Sequence, residues 1–249
     1  MSSEWSPVYR EWALGPGVTA WTSVSGTGPV RVLPDGCLDL LWTDGSLSIA
    51  GPDTVAKLVP GESGRRRVGL RFAPGVGPGI LGVPAGELTD LQAPADALPS
   101  AQRRRLGRGL RHTDLMGPAE IATTLLDSLD IDGGDPFVTR LADLAAAGTA
   151  LPAIGRALDL SPRQLHRRSV AAFGYGPKQL HRISRFQRAL SQLRAGLPAA
   201  ECAVRTGFSD QSHLSREVRA LAGVPIRELT QARGAKMSTP LPSGSSTLA

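Results

Sequence analysis

Two stretches in the last hundred residues constrain this chain most. Ile154–Arg168 and Ala199–Arg216 each spell two short helices around a tight turn, and in each the second helix is polar and basic. In the first stretch a helix over 152–158 ends at the turn Asp159-Leu160. Ser161 then stands where an N-cap is needed, Pro162 falls in the first turn, and Leu165 is the inward anchor. In the second, Ala199, Cys202 and Ala203 make a helix of small residues that can pack closely. Gly207 permits the turn, Phe208 plugs the core, and Ser209 or Asp210 caps the second helix of the pair.

Between them, Gly174 and Gly176-Pro177 close one helix and open a longer one to about Ala195. Leu180, Ile183, Phe186, Ala189, Leu190 and Leu193 form its apolar stripe, with Lys178, Arg182, Arg185, Arg188 and Arg194 among them. At 1.5 Å per residue such a connector spans about 27 Å, close to the rise of one DNA turn. The spacing therefore predicts a rigid device whose two polar helices enter successive major grooves of double-stranded DNA. Arg163, Gln164, His166 and Arg167 are the candidate DNA contacts of the first unit. Gln211, Ser212, Ser215 and Arg216 are those of the second. Arginine pairs bidentately with guanine and glutamine with adenine, so these residue types suit base reading. His213 stands alone and is expected to pack or touch phosphate, not to bind metal.

Charge follows the same division. Residues 1–135 carry 12 Lys and Arg against 16 Asp and Glu, and residues 136–249 carry 16 against 6. The positive excess thus belongs to the half with the paired helices, where it favours phosphate through counterion release. No apolar run is long enough to cross a bilayer, and the first residues lack the pattern of a secretory signal. A cytoplasmic protein without a membrane partner is expected. Cys37 and Cys202 have no cysteine neighbours, so no disulfide scaffold, metal site or cofactor is expected. No HExxH, nucleophile elbow or catalytic carboxylate pair occurs, and the expectation is a protein that is not an enzyme. Two alternatives stay open: an alkyltransferase-like repair protein using Cys37 as acceptor, and an architectural DNA binder without sequence preference.

Upstream, residues 1–83 hold short β-branched and aromatic runs punctuated by Gly and Pro, with Asp44-Gly45 as a hairpin signal. These predict a β-rich barrel or sandwich acting as an effector-binding or sensor domain. Trp21, Cys37, Asp39, Trp42, Arg71 and Phe72 are its candidate effector-binding residues, since tryptophans and polar groups on short strands can point into a pocket. Residues 84–134 read as a helical segment and linker, with Pro118 opening a helix through Ile121, Leu125 and Leu129. The boundary is placed at Gly133-Gly134, residues 135–235 form the all-α DNA-binding domain, and 236–249 read as a disordered tail. The fold class is α+β.

The residues also carry a resemblance. Gly207-Phe-Ser-Asp-Gln-Ser-His-Leu-Ser-Arg216 with Gly223-Val-Pro225 resembles the signature of the AraC/XylS family of transcriptional regulators. Leu160–Arg167 and Gly174–Pro177 match the family's first unit, which departs at Ser169, where the family usually has Phe. Phe173 or Val170 is the candidate to fill that volume. Leu33–Leu40, Ala50–Pro52 and Gly69–Gly75 look like the N-terminal domain of one AraC subgroup. The resemblance implies a cupin-like domain for a small-molecule effector or for homodimerisation, and RNA polymerase as a partner if the protein is an activator.

Overall fold

Alternating burial along residues 10–94 builds the first half of the chain as strands. The computed structural model describes residues 9–131 and 135–231. Strands β1 (Arg10–Gly15), β2 (Val18–Val24), β7 (Arg66–Phe72), β4 (Leu38–Thr43), β5 (Ser46–Ala50) and β8 (Gln92–Pro94) lie side by side in that order in one six-stranded sheet. All neighbouring pairs are antiparallel. Strands β3 (Val30–Val32) and β6 (Lys57–Val59) form a separate two-stranded ribbon. Asp44 and Gly45 join β4 to β5 with φ of 43° and 91°, the double positive φ of a tight hairpin turn. Pro94 sits on the edge strand β8, where its missing N–H costs no central ladder bond.

Because side chains alternate along a strand, one face of the large sheet takes Ala20, Leu40, Trp42, Val68, Leu70 and Phe72. Helices α1 (Val76–Leu81), α2 (Ser100–Gly109) and α3 (Pro118–Asp127) cover that face with Leu81, Leu106, Ile121 and Leu125. The helical segment thus completes the core of the sheet. The opposite face is left to the ribbon, and the result is an open sandwich instead of a closed barrel. Strands first and helices after give the expected α+β class.

Helices α4 (Pro136–Ala146), α5 (Leu151–Ala157), α6 (Pro162–Phe173), α7 (Pro177–Arg194), α8 (Ala199–Thr206), α9 (Gln211–Ala222) and α10 (Ile226–Gln231) make up the second half. One core gathers Leu141, Ile154, Leu165, Phe173, Tyr175 and Leu180 around α4 to α6. A second gathers Phe186, Leu190, Phe208, Leu214 and Leu221 around α7 to α9, and Leu33 enters it from beyond the end of β3. The two halves are therefore packed together. Gln187 Nε2 donates to the Pro34 carbonyl at 2.6 Å, and Gln179 Nε2 to that of Thr54 at 3.1 Å. Gly133-Gly134 and residues 236–249 lie outside the described residues. Among the described residues, no helix is long and apolar enough to cross a membrane.

Candidate functional site

Each helix pair is fixed by its own caps. Ser161 Oγ accepts from the Gln164 amide at 3.3 Å, and Gln164 Oε1 accepts from the Ser161 amide at 2.9 Å, a reciprocal capping box at the start of α6. Asp159, at φ 50°, makes the turn before it. At α9, Asp210 is the cap: its carboxylate accepts from the His213 amide at 2.7 Å, a bond that holds Asp210 below its usual carboxylate range. Ser209 bonds to His213 Nδ1 instead, at 3.1 Å. The His213 ring also meets Phe208 edge-on at 5.2 Å, so this histidine serves the turn.

The outer side of α6 exposes Arg163, Gln164, His166 and Arg167, and α9 exposes Gln211, Ser212 and Arg216, with Ser215 half-buried beside them. Gln164 needs a correction. Its side-chain oxygen is committed to the cap, leaving only the amide nitrogen for other partners, so two-bond pairing with adenine would break the capping box. At Ser169, fully buried, the hydroxyl donates to the Tyr175 carbonyl at 2.9 Å, and Phe173 supplies the aromatic bulk of that core. Val170 stays on the groove beside Arg163 and Arg167.

Three arginines of α7 turn out to be occupied. Arg182 pairs with Glu217 of α9. Arg185 lies 4.3 Å over the Phe208 ring and donates to the Gly207 carbonyl at 3.3 Å. Arg188 donates to the Ala145 and Ala146 carbonyls at the end of α4, at 3.1 and 2.8 Å. These arginines join helices to one another and satisfy carbonyls that helix ends leave open.

Between the large sheet and the ribbon lies a cleft of about 490 Å³. Trp21, Asp39, Leu41, Arg67 and Arg71 line its sheet side, and Val30, Arg31, Val32, Lys57 and Val59 its ribbon side. Trp21 Nε1 donates to Asp39 Oδ1 at 2.8 Å, and Arg71 Nε donates to the same carboxylate at 3.2 Å. Three candidate effector residues are elsewhere. Trp42 and Phe72 point through the sheet into the helix-covered core, since they have the opposite strand parity to Asp39 and Arg71. Cys37 is buried just before β4 and does not reach the cleft. Burial, then the negative charge of Asp35, push its thiol well above the usual value, which removes the thiolate an alkyl acceptor needs. Sequence reasoning missed Arg31 and Arg67, which strand parity alone identifies only once the ribbon is known to face the sheet.

The floor of this cleft depends on Gly69. It pairs with Trp21 across β2 and β7, and a Cβ there would lie 2.2 Å from Trp21 Cε2. Gly69→Ala is therefore expected to drive the indole off its seat and break its bond to Asp39. A shifted tryptophan emission spectrum is the expected result, and a spectrum identical to the parent's would contradict the close approach.

Sandwich, cleft and twin capped helix pairs together define a two-part protein, a β-rich domain followed by two helix–turn–helix units. Residues 154–232 match the family described as "Helix-turn-helix domain", and residues 13–94 match the family described as "Domain of unknown function (DUF6597)". The chain thus carries an AraC-type helix–turn–helix domain at its C-terminal end and a domain of the second family in front of it. No curated protein matches it in sequence. Among solved structures it is similar to ToxT from Vibrio cholerae O395, at 12% identity and TM-score 0.46, covering 88% of this chain and 100% of that one. Another is unsaturated fatty acid-bound ToxT from Vibrio cholerae strain SCE256, at 10% identity and TM-score 0.45, covering 91% and 96%.

Proposed function

We propose that this protein is a sequence-specific transcription regulator of the cytoplasm that reads two short blocks of double-stranded DNA, one with α6 and one with α9, in successive major grooves. The supporting observation is that both helices are capped, buried on their apolar side and open on their polar side, while the 18-residue α7 between them is locked to its neighbours. A locked connector fixes the spacing of the readers, and with it the spacing of the two blocks. The N-terminal half, residues 1–83 with the helical segment 84–134, senses a small effector, and homodimerisation or contact with RNA polymerase would act on top of it. No chemistry on DNA is required.

Selection from random double-stranded DNA by the full chain tests this reading. The expected product is a motif of two blocks about one helical turn apart. Arg163→Ala is expected to relax one block and Arg216→Ala the other, each costing about 1–3 kcal/mol against the preferred sequence. Binding that weakens steeply with salt yet selects no sequence would favour the architectural reading instead.

A further inference from the structure

In the N-terminal half, one helix carries charge that the fold does not use. Five of the twelve Lys and Arg of residues 1–135 stand between Arg103 and Arg111, and no Asp or Glu occurs from 97 to 113. This run is α2 and the turn after it. Leu106 is its buried anchor, and Arg104 and Arg108 stand two positions to either side of it. At 3.6 residues per turn, both therefore lie on the side opposite the core. Arg103 and Arg105, on the flanks, are paired, with Asp96 at 3.1 Å and Asp130 at 2.8 Å. Arg104, Arg108 and Arg111 are exposed, and among the described residues none of them forms an ion pair. Like charges four apart destabilise a helix, and Gly107 and Gly109 make α2 a weak helix besides. A polyanion laid along this face would remove the repulsion.

The sandwich is held against α6 and α9 with a fixed polarity. On its ribbon side, Arg31 Nη1 donates to the Ala222 carbonyl at 2.9 Å, and the Ala56 amide to that of Leu221 at 2.7 Å. Both carbonyls are among those left open at the C-terminal end of α9, so the ribbon is seated there. On its helix-covered side, the single helical turn Ala85–Glu87 packs on the C-terminal end of α6. Thr89 Oγ1 donates to the Gly174 carbonyl at 3.1 Å, and Gly86 faces Val170. Val170 continues the row of Arg163 and Arg167 along α6. The same turn follows α1, whose Ile80 carbonyl accepts from Gln102 Nε2 of α2 at 2.7 Å. Passing from α9 to α6 and onward, the layer reached next is therefore that of α1 and α2.

We propose that the outer face of α2, Arg104 and Arg108 with Arg111 just beyond, holds the phosphate backbone of the DNA that flanks the α6 block. Guanidinium and phosphate match in charge and in paired hydrogen bonds, and such a contact carries no sequence information. The proposal rests on the reading of α6 and α9 as DNA readers and adds a third contact from the N-terminal half. Two duplexes with the selected motif test it on the full chain. One ends at the α6 block, which Arg163→Ala identifies, and the other runs on there for about another turn and a half. Each phosphate contact contributes about 0.9 to the slope of log affinity against log salt, so three contribute about 2.7. On the long duplex, Arg104→Gln, Arg108→Gln and Arg111→Gln combined are expected to lower the slope by that amount. The parent then loses about 40-fold more affinity than this variant as salt rises from about 50 to 200 mM. On the short duplex the two slopes should coincide, and the base preferences of both blocks should stay as in the parent. Lys at all three positions should keep most of the long-duplex slope, which a misfolded chain would not. Equal slopes for parent and Gln variant on the long duplex overturn the proposal and leave the stripe to an acidic protein partner. A loss as large on the short duplex overturns it too, since it would reflect the charge of the whole chain. A parent that selects no motif overturns the regulator reading and this proposal together. A selected motif bound without regard to the flank overturns this proposal alone.

Discussion

Arg71→Met is expected to destabilise the protein by about 3–5 kcal/mol at pH 7, the cost of removing one partner from a buried ionic cluster. Arg71 Nε lies 3.2 Å from Asp39 Oδ1 and 3.9 Å from Asp35 Oδ2, and the three side chains are 12%, 16% and 11% exposed. Burial alone would weaken the guanidinium's hold on its proton, but Asp39 and Asp35 outweigh it and hold Arg71 well above its usual value. Asp35 is raised by burial even with Arg71 pulling it down. Met fills much of the same volume but leaves two facing carboxylates with no cation, so Asp35 must rise further. A carboxyl whose folded value exceeds its unfolded one binds more protons when folded between the two values. Its destabilisation is therefore absent below the unfolded value, near 3.9, and grows as pH rises through the folded one. Urea denaturation of variant and parent at pH 7 and near pH 4.5 checks this, with a smaller gap expected at the lower pH. A gap that does not change with pH would remove the carboxylates from the explanation.

Leu33→Ala is expected to cost about 2–5 kcal/mol, although residue 33 belongs by sequence to the N-terminal half. Its side chain is 1% exposed and packs in the core of the second helix pair with Phe186, Leu190 and Phe208. Shortening it leaves a cavity between the halves, because Phe186 and Phe208 are held by α7 and by Arg185. Leu33→Met keeps the volume and should cost less than about 1.5 kcal/mol. The check is denaturation of the full chain followed both by a sheet signal and by DNA binding. Both readouts should move together for Leu33→Ala. A loss under about 1 kcal/mol would mean that the ribbon is not seated on α9 in solution.

The features legible in the sequence are those encoded locally. Asp44-Gly45, Ser161-Pro162, Gly174, Gly207 and Asp210 each fix a turn or cap within a few residues, and the structure has each of them in that role. The apolar stripe of α7 is likewise local, a matter of 3.6-residue spacing. Trp21, Asp39 and Arg71 line the cleft and Phe72 does not, for a reason also present in the sequence: Arg71 and Phe72 are adjacent in one strand, and adjacent side chains leave opposite faces. Arg71 takes the cleft face with Asp39, which leaves Phe72 to the helix-covered core. The commitment of Gln164 is visible as well, since Ser161 and Gln164 stand at capping-box spacing. Which of the many arginines remain free is not visible. Arg182, Arg185 and Arg188 look like Arg163 and Arg167 until their partners on other helices are known. The docking of the ribbon on α9 joins Arg31 to Ala222 across 191 positions, and no local pattern announces it.

That long reach also sets an order of events during synthesis. The ribbon and Leu33 leave the ribosome early, whereas Gln187 and Ala222, which receive them, come 153 positions after Pro34 and 191 after Arg31. At translation speeds of about 5–20 residues per second the ribbon waits roughly 10–40 s for its seat. During that interval Leu33 is bare, next to a two-stranded edge that already exposes Leu58 and Val55 when docked. An unpaired, apolar edge of this kind is a template for pairing with other chains. The nascent N-terminal half is thus the stage of this protein's life most in need of a chaperone, and the arrival of α9 is what ends that need.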